Sequence, residues 1–271
     1  MKRTFLKTLG AIVLAATTLA CVPTMAAEPK IGIVMLHGKN PGSNRDPNFR
    51  LLVSVFERED WVVAFPNMPW ASMRYLDGNW DQAMAEIAEQ VAKLHSKGAT
   101  KIVLVGHSIG SAASLSFAAR GGDVQALVLV APGHNPIAFY TLPRMKAVHD
   151  SVDEARALVA NGKGAEKSRF SDFNQGKDLS VSMTASDYLS YLDPNSDAEM
   201  SLTAARVPAH VPVMAVIGDA DPLFKMLRSS VYDKLPPNPK NQYLEVQANH
   251  LSTPEVASAE MVKWIKTAVA E

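Results

Sequence analysis

Apolar positions along the chain fall into short continuous runs, separated by longer segments in which they recur at helical spacing. Ile31-Gly32-Ile33-Val34-Met35-Leu36, Ile102-Val103-Leu104-Val105 and the stretches 124–130 and 211–217 are runs of the first kind. Such runs mark strands buried on both faces. Residues 61–65, ended by Pro66, and residues 243–246 supply two more strands. Between the runs, Asp46 caps and Pro47 opens a helix whose apolar face is Phe49, Leu52, Val53 and Phe56. Trp80, Met84, Ile87, Val91 and Leu94 mark one face of a helix starting near Asn79, and small residues from Gly110 onward predict another. Thr253 caps a final helix with Pro254 at its first position and Ala257, Met261, Trp264, Ile265 and Ala268 facing inward. Six strands alternating with amphipathic helices predict an α/β fold, a mostly parallel sheet covered on both faces.

Residues 135–207 break the alternation. The pattern there gives at least two helices, one over 150–161 ended by Gly162 and one from Thr184 towards Leu192, with polar irregular chain between them. This stretch lies between the fourth and fifth strand-helix units, on the side where strands end and ligands bind. It is expected to be a small helical, cap-like insertion within a single domain spanning 27–271. A plain connection that shields the sheet is the alternative.

The first 26 residues are expected to be an address. Lys2, Arg3 and Lys7 form a positive segment, residues 9–20 an apolar one, and Thr24-Met25-Ala26 resembles a signal-peptidase site. The apolar stretch is too short to span a bilayer as a mature helix. Cleavage after Ala26 or Ala27 and export to a periplasm or beyond follow, with no stable membrane insertion after processing. Thr18-Leu19-Ala20-Cys21 loosely resembles a lipoprotein signal, so an anchor at Cys21 is the minor alternative. Cys21 is the only cysteine among 271 residues, which excludes an intramolecular disulfide and a cysteine-based zinc site. The 27 Lys and Arg balance 27 Asp and Glu, and no basic block stands out. The footprint of a nucleic-acid binder is therefore missing.

The chemistry concentrates after the run at 102–105. Gly106-His107-Ser108-Ile109-Gly110 is a G-x-S-x-G between a buried strand and a helix of small residues. A sharp turn there lifts Ser108 above the sheet edge, and the two glycines lack the Cβ atoms that would clash across the bend. A serine hydroxyl needs a positioned imidazole to take its proton, and the imidazole needs a carboxylate to fix its tautomer. His250 stands directly after the last strand, and the strand ending at Ile217 runs into Gly218-Asp219-Ala220-Asp221-Pro222. The order Ser, Asp, His along this strand pattern, from about Ile31 to Ala268, resembles the α/β-hydrolase superfamily.

The resemblance implies a catalytic triad of Ser108, His250 and an aspartate. Gly218-x-x-Asp221-Pro222 matches the family's setting for the acid and favours Asp221, while Asp219 reads as a turn residue and is the alternative. The family's oxyanion hole maps onto the backbone N–H of Ile109 and, in His37-Gly38-Lys39, that of Lys39; the sequence departs from the His-Gly-Gly-Gly form, leaving the second donor open. His37 is expected to hold its loop and His107 to pack beside the strand. His134, in Pro132-Gly133-His134-Asn135, and Trp70, in Met68-Pro69-Trp70, are weaker candidates for touching substrate. No cofactor or metal is required by this chemistry, and neither zinc-protease spacing nor phosphate-cradling glycine patterns occur. The expectation is a serine hydrolase cleaving an ester or related acyl bond of a small-molecule substrate. Acyl transfer or perhydrolysis with the same triad, and a non-catalytic exported binding or interaction protein on the same fold, are the alternatives.

Overall fold

The structure, a computed structural model, describes residues 30–39 and 41–270. The expected leader and Cys21 lie outside the described residues. Six strands form one sheet: β1 (Ile31–Leu36), β2 (Val62–Ala64), β3 (Lys101–His107), β4 (Ala126–Val130), β7 (Val213–Gly218) and β8 (Gln242–Val246). Their spatial order is β2-β1-β3-β4-β7-β8, and every neighbouring pair is parallel. Because all six run the same way, the loops that leave their C-terminal ends open along one edge. That edge is where the chain brings its polar chemistry together.

Side chains alternate across the sheet as strand geometry requires. Ile33, Met35, Val103, Val105, Val128 and Val216 point to one face and pack on α1 (Pro47–Glu57) and α10 (Ser258–Val269). Val34, Leu36, Leu104, Leu127, Leu129 and Ile217 point to the other, against α2 (Trp80–Ser96) and α3 (Ile109–Ala119). Leu52, Phe56 and Ile87 are fully buried in these layers, each worth about 1.5–3 kcal/mol relative to exposure. Local signals set the helix starts. The Asp46 carboxylate accepts from Asn48 N ahead of Pro47, and Asn79 and Gln82 cap α2 reciprocally.

The stretch between β4 and β7 is richer than its pattern suggested. It holds α4 (Pro136–Thr141), α5 (Lys146–Ala160), α6 (Ala185–Leu192) and α7 (Met200–Ala204). Between α5 and α6, where irregular chain was expected, β5 (Lys167–Asn174) and β6 (Lys177–Thr184) pair as an antiparallel hairpin. Its two-residue turn has Gln175 at φ 50° and Gly176 at φ 78°, the left-handed pair that matches strand twist. The inward positions are Phe170, Asp172, Val181 and Met183. An aspartate on the buried face interrupts the apolar alternation, which is why the segment read as polar.

A second correction concerns the C-terminus. The last helix is two pieces, α9 (Thr253–Val256) and α10, separated at Ala257; Thr253 sits inside the first turn with its hydroxyl donating to Asn249 O. The remaining helix, α8 (Phe224–Ser230), follows the β7 loop. Among the described residues no helix is long and apolar enough to cross a membrane.

Candidate active site

Ser108 occupies the tight turn between β3 and α3 with φ 56° and ψ −121°. That conformation costs a non-glycine residue about 1–3 kcal/mol and persists only where packing enforces it. The enforcement is visible at the flanking glycines. A Cβ on Gly106 would stand 2.2 Å from Gly110 O, and one on Gly110 would stand 2.0 Å from Leu36 O. The first turn of α3 can approach β1 and β3 this closely only without those carbons. Ser111 and Ser114 donate to Gly106 O and Gly110 O at 2.7 and 2.9 Å, so the buried small-residue helix leaves these hydroxyls satisfied.

Asp221 and His250 reach the same edge from the loops after β7 and β8. His250 Nδ1 donates to Asp221 Oδ2 at 2.7 Å, and the Asp221 side chain is fully buried. Its other oxygen accepts from Leu223 N at 2.8 Å, so the carboxylate is held from both ends. Asp219 faces elsewhere: its Oδ1 accepts from Ala248 N at 3.1 Å, tying the two loops together. A Cβ built on Gly133, in the loop after β4, would lie 2.7 Å from Ser108 Oγ and 3.6 Å from His250 Cε1. The serine hydroxyl and the imidazole thus flank one point, and both line a cleft of about 270 Å³.

The neighbouring histidines are structural in their contacts. His37 Nε2 accepts from Met68 N at 3.0 Å, so its Nδ1 carries the proton and donates to Gly38 O at 2.7 Å. Burial pushes its pKa down to about 4. His107 Nε2 donates to His250 O at 3.0 Å, and its ring stacks on Phe49. Burial, then the charge of His250, push His107 down to about 3. The neutral ring therefore braces the loop that carries His250.

Two expected substrate contacts do not reach the cleft. Trp70 is fully buried, tilted against Trp80, with its indole N–H donating to His37 O at 2.7 Å. It holds the loop after β1 from within the core. His134 is buried against Trp80 and donates from Nε2 to Tyr191 O at 2.8 Å. Burial and the charge of Lys39 push its pKa down to about 3. Beside Lys39, Ser108 and His250, the cleft is lined by residues the sequence did not mark for the site, among them Asp46 and Asn48 at the start of α1 and Asn174 and Gln175 at the tip of the hairpin. Gln175-Gly176 between two strand-length runs was the available signal for the last two.

Ile109 opens α3, where a first-turn N–H has no intrahelical acceptor. Lys39 lines the cleft on the facing loop, with its side chain turned away into a buried ion pair with Asp172. Among the described residues no three His, Cys, Asp or Glu side chains are grouped as a metal ion would need.

Comparison with known proteins agrees with this architecture. No curated protein matches the chain by sequence. Several solved structures share its fold. A lipolytic enzyme from the metagenome-derived LipS and LipT pair is 14% identical over 88% of this chain and 94% of that one, with a TM-score of 0.59. The ferulic-acid complex of Est1E from Butyrivibrio proteoclasticus is 16% identical over 90% and 91%, with a TM-score of 0.60. The monoacylglycerol lipase of Paleococcus ferrophilus is 18% identical over 88% and 94%, with a TM-score of 0.61. The model of the alpha/beta hydrolase family matches residues 13–263, nearly the whole length, and the chain belongs to that family.

Proposed function

We infer that this protein is a serine hydrolase that cleaves a carboxylic ester in two steps, with Ser108 as nucleophile, His250 as base and Asp221 as its orienting acid. The observation that carries the reading is the 2.7 Å contact of a buried Asp221 with His250 beside a serine held in a strained turn. With Nδ1–H committed to Asp221, the neutral tautomer of His250 presents Nε2 as the acceptor for the Ser108 proton. Ser108 Oγ bonds to the ester carbonyl carbon, and the developing oxyanion is met by the N–H groups of Ile109 and Lys39. Each such donor is typically worth about 3 kcal/mol in the transition state. His250 then gives its proton to the departing alkoxide as the C–O bond breaks. Water attacks the acyl-enzyme with the same imidazole as base, restoring Ser108. The lipolytic neighbours give this reading a precedent on the same fold.

A fluorophosphonate tests it. Labelling should fall on Ser108 at neutral pH, and Ser108→Ala should lower turnover of p-nitrophenyl esters by about 10³–10⁶-fold. Modification of another serine, or unchanged turnover in the variant, overturns the assignment.

A further inference from the structure

The β5–β6 hairpin, inserted far from the triad in sequence, reaches the candidate site at two points. Asn174, at the end of β5, and Gln175, first residue of the turn, line the cleft that holds Ser108 and His250. Just before the turn, the hairpin is clamped to the loop after β1. Lys39 Nζ donates to the two Asp172 oxygens at 2.7 and 2.9 Å and to Phe173 O at 3.2 Å. The Tyr75 hydroxyl donates to the same carboxylate. The Asp172 side chain is fully buried and that of Lys39 is 5% exposed. A pair this desolvated is favourable only while its hydrogen bonds are complete, and removing one partner strands the other charge. The clamp therefore fixes the turn relative to the loop bearing the Lys39 N–H.

The cleft beside that turn is small and mixed in character. About 270 Å³ is below the usual 300–1,000 Å³ of sites for drug-sized ligands. Asp46, Asn48, Asn174 and Gln175 line it together with Pro41, Pro47 and Leu251. An apolar channel would raise affinity about fourfold for each methylene buried. Here a growing acyl chain would instead outrun the small volume and meet the polar Gln175 side chain at the turn, which it cannot hydrogen-bond.

Resting on the reading of Ser108, His250 and Asp221 as an acyl-transfer site, we propose that the Asn174-Gln175 turn is its specificity wall, clamped in place by Lys39, Asp172 and Tyr75. It selects compact esters that carry hydrogen-bonding groups over esters of long acyl chains. The test is kcat/KM on the processed full chain with p-nitrophenyl butanoate, 3-hydroxybutanoate and octanoate. Butanoate is expected above octanoate and 3-hydroxybutanoate above butanoate. Octanoate equal to or above butanoate, or no gain from the hydroxyl, overturns the proposal. Gln175→Gly, at a position whose φ of 50° suits glycine, should cut the hydroxyl preference at least threefold; an unchanged preference removes the turn from the recognition. Asp172→Asn should raise the octanoate-to-butanoate ratio at least fivefold by freeing the wall, and an unmoved ratio refutes the clamp. If Asp172→Asn does not fold, Tyr75→Phe carries the same test with a rise of at least twofold expected and no rise refuting it. Fluorophosphonate labelling of Ser108 separates the two levels. Labelling with an octanoate preference sinks this proposal alone, whereas no labelling and no esterase activity sink the functional reading beneath it.

Discussion

Replacing Asp221 by Asn is the sharpest probe of the site because it keeps the side chain's shape while turning one acceptor oxygen into an NH₂ donor and removing the charge. The side chain is buried, and its Oδ1 accepts from Leu223 N at 2.8 Å, a bond an asparagine oxygen can keep. The group then presented to His250 Nδ1, 2.7 Å away, is an NH₂ donor in place of a carboxylate oxygen. His250 must answer with an unprotonated Nδ1, which moves the ring proton to Nε2, where the base has to be empty. In a comparable triad this swap lowers kcat about 10⁴-fold, equivalent to about 5 kcal/mol of barrier. Asp219→Asn is the matched control, since an asparagine oxygen can still accept from Ala248 N. Its effect on kcat should stay within about fivefold, the scale of one surface hydrogen bond. Both variants would be assayed with p-nitrophenyl butanoate after circular dichroism and thermal melting establish the fold. If Asp221→Asn retains more than a tenth of the activity, or Asp219→Asn loses as much as Asp221→Asn, the assignment of the acid is wrong.

Three further outcomes are expected. Gly133→Ala places a methyl 2.7 Å from Ser108 Oγ and 3.6 Å from His250 Cε1, so kcat should fall by about 10²-fold or more, as for a displaced reacting group, with the melting temperature little changed; wild-type turnover would contradict the geometry. His37, His107 and His134 are held neutral by burial, with pKa values pushed from 6.5 to about 4, about 3 and about 3. Below about pH 6.5 the unfolded chain takes up protons that the folded chain refuses, so stability is complete above that pH and falls as pH drops towards 4. At pH 5 each histidine costs about 2 kcal/mol, and urea unfolding should show a loss of about 6 kcal/mol against pH 7.5; equal stabilities at the two pH values would refute this. We also propose that the chain is exported and processed, so mass spectrometry of the secreted or periplasmic form should give an N-terminus at Ala27 or Glu28. A diacylglycerol-bearing Cys21 at the N-terminus would establish the anchored form instead.

The sequence by itself determined the sheet and the turn at its centre. Runs such as Ile102-Val103-Leu104-Val105, bounded by turn signals and rich in β-branched residues, read as strands covered on both faces, and Gly106 and Gly110 marked a sharp turn whose close contacts, 2.2 and 2.0 Å to a built Cβ, the folded chain then supplies. Strand order along the chain then put Ser108, the two aspartates and His250 at the ends of parallel strands, because every loop after such a strand opens on the same edge. The family's G-x-x-D setting favoured Asp221 and left Asp219 as the alternative. Both follow β7 within three residues, and only the path of the turn sends one to His250 and the other to Ala248 N. Trp70 and His134 were the weaker candidates for touching substrate, and the apolar layer under the loops draws both inward, where each donates to a backbone carbonyl. The hairpin stayed hidden because Asp172 stands at a buried position, and an aspartate is tolerated there by virtue of Lys39, 133 residues away, and Tyr75. Periodicity reports what a residue would do in water; what a charge does when another charge meets it in the interior is decided by the tertiary structure alone.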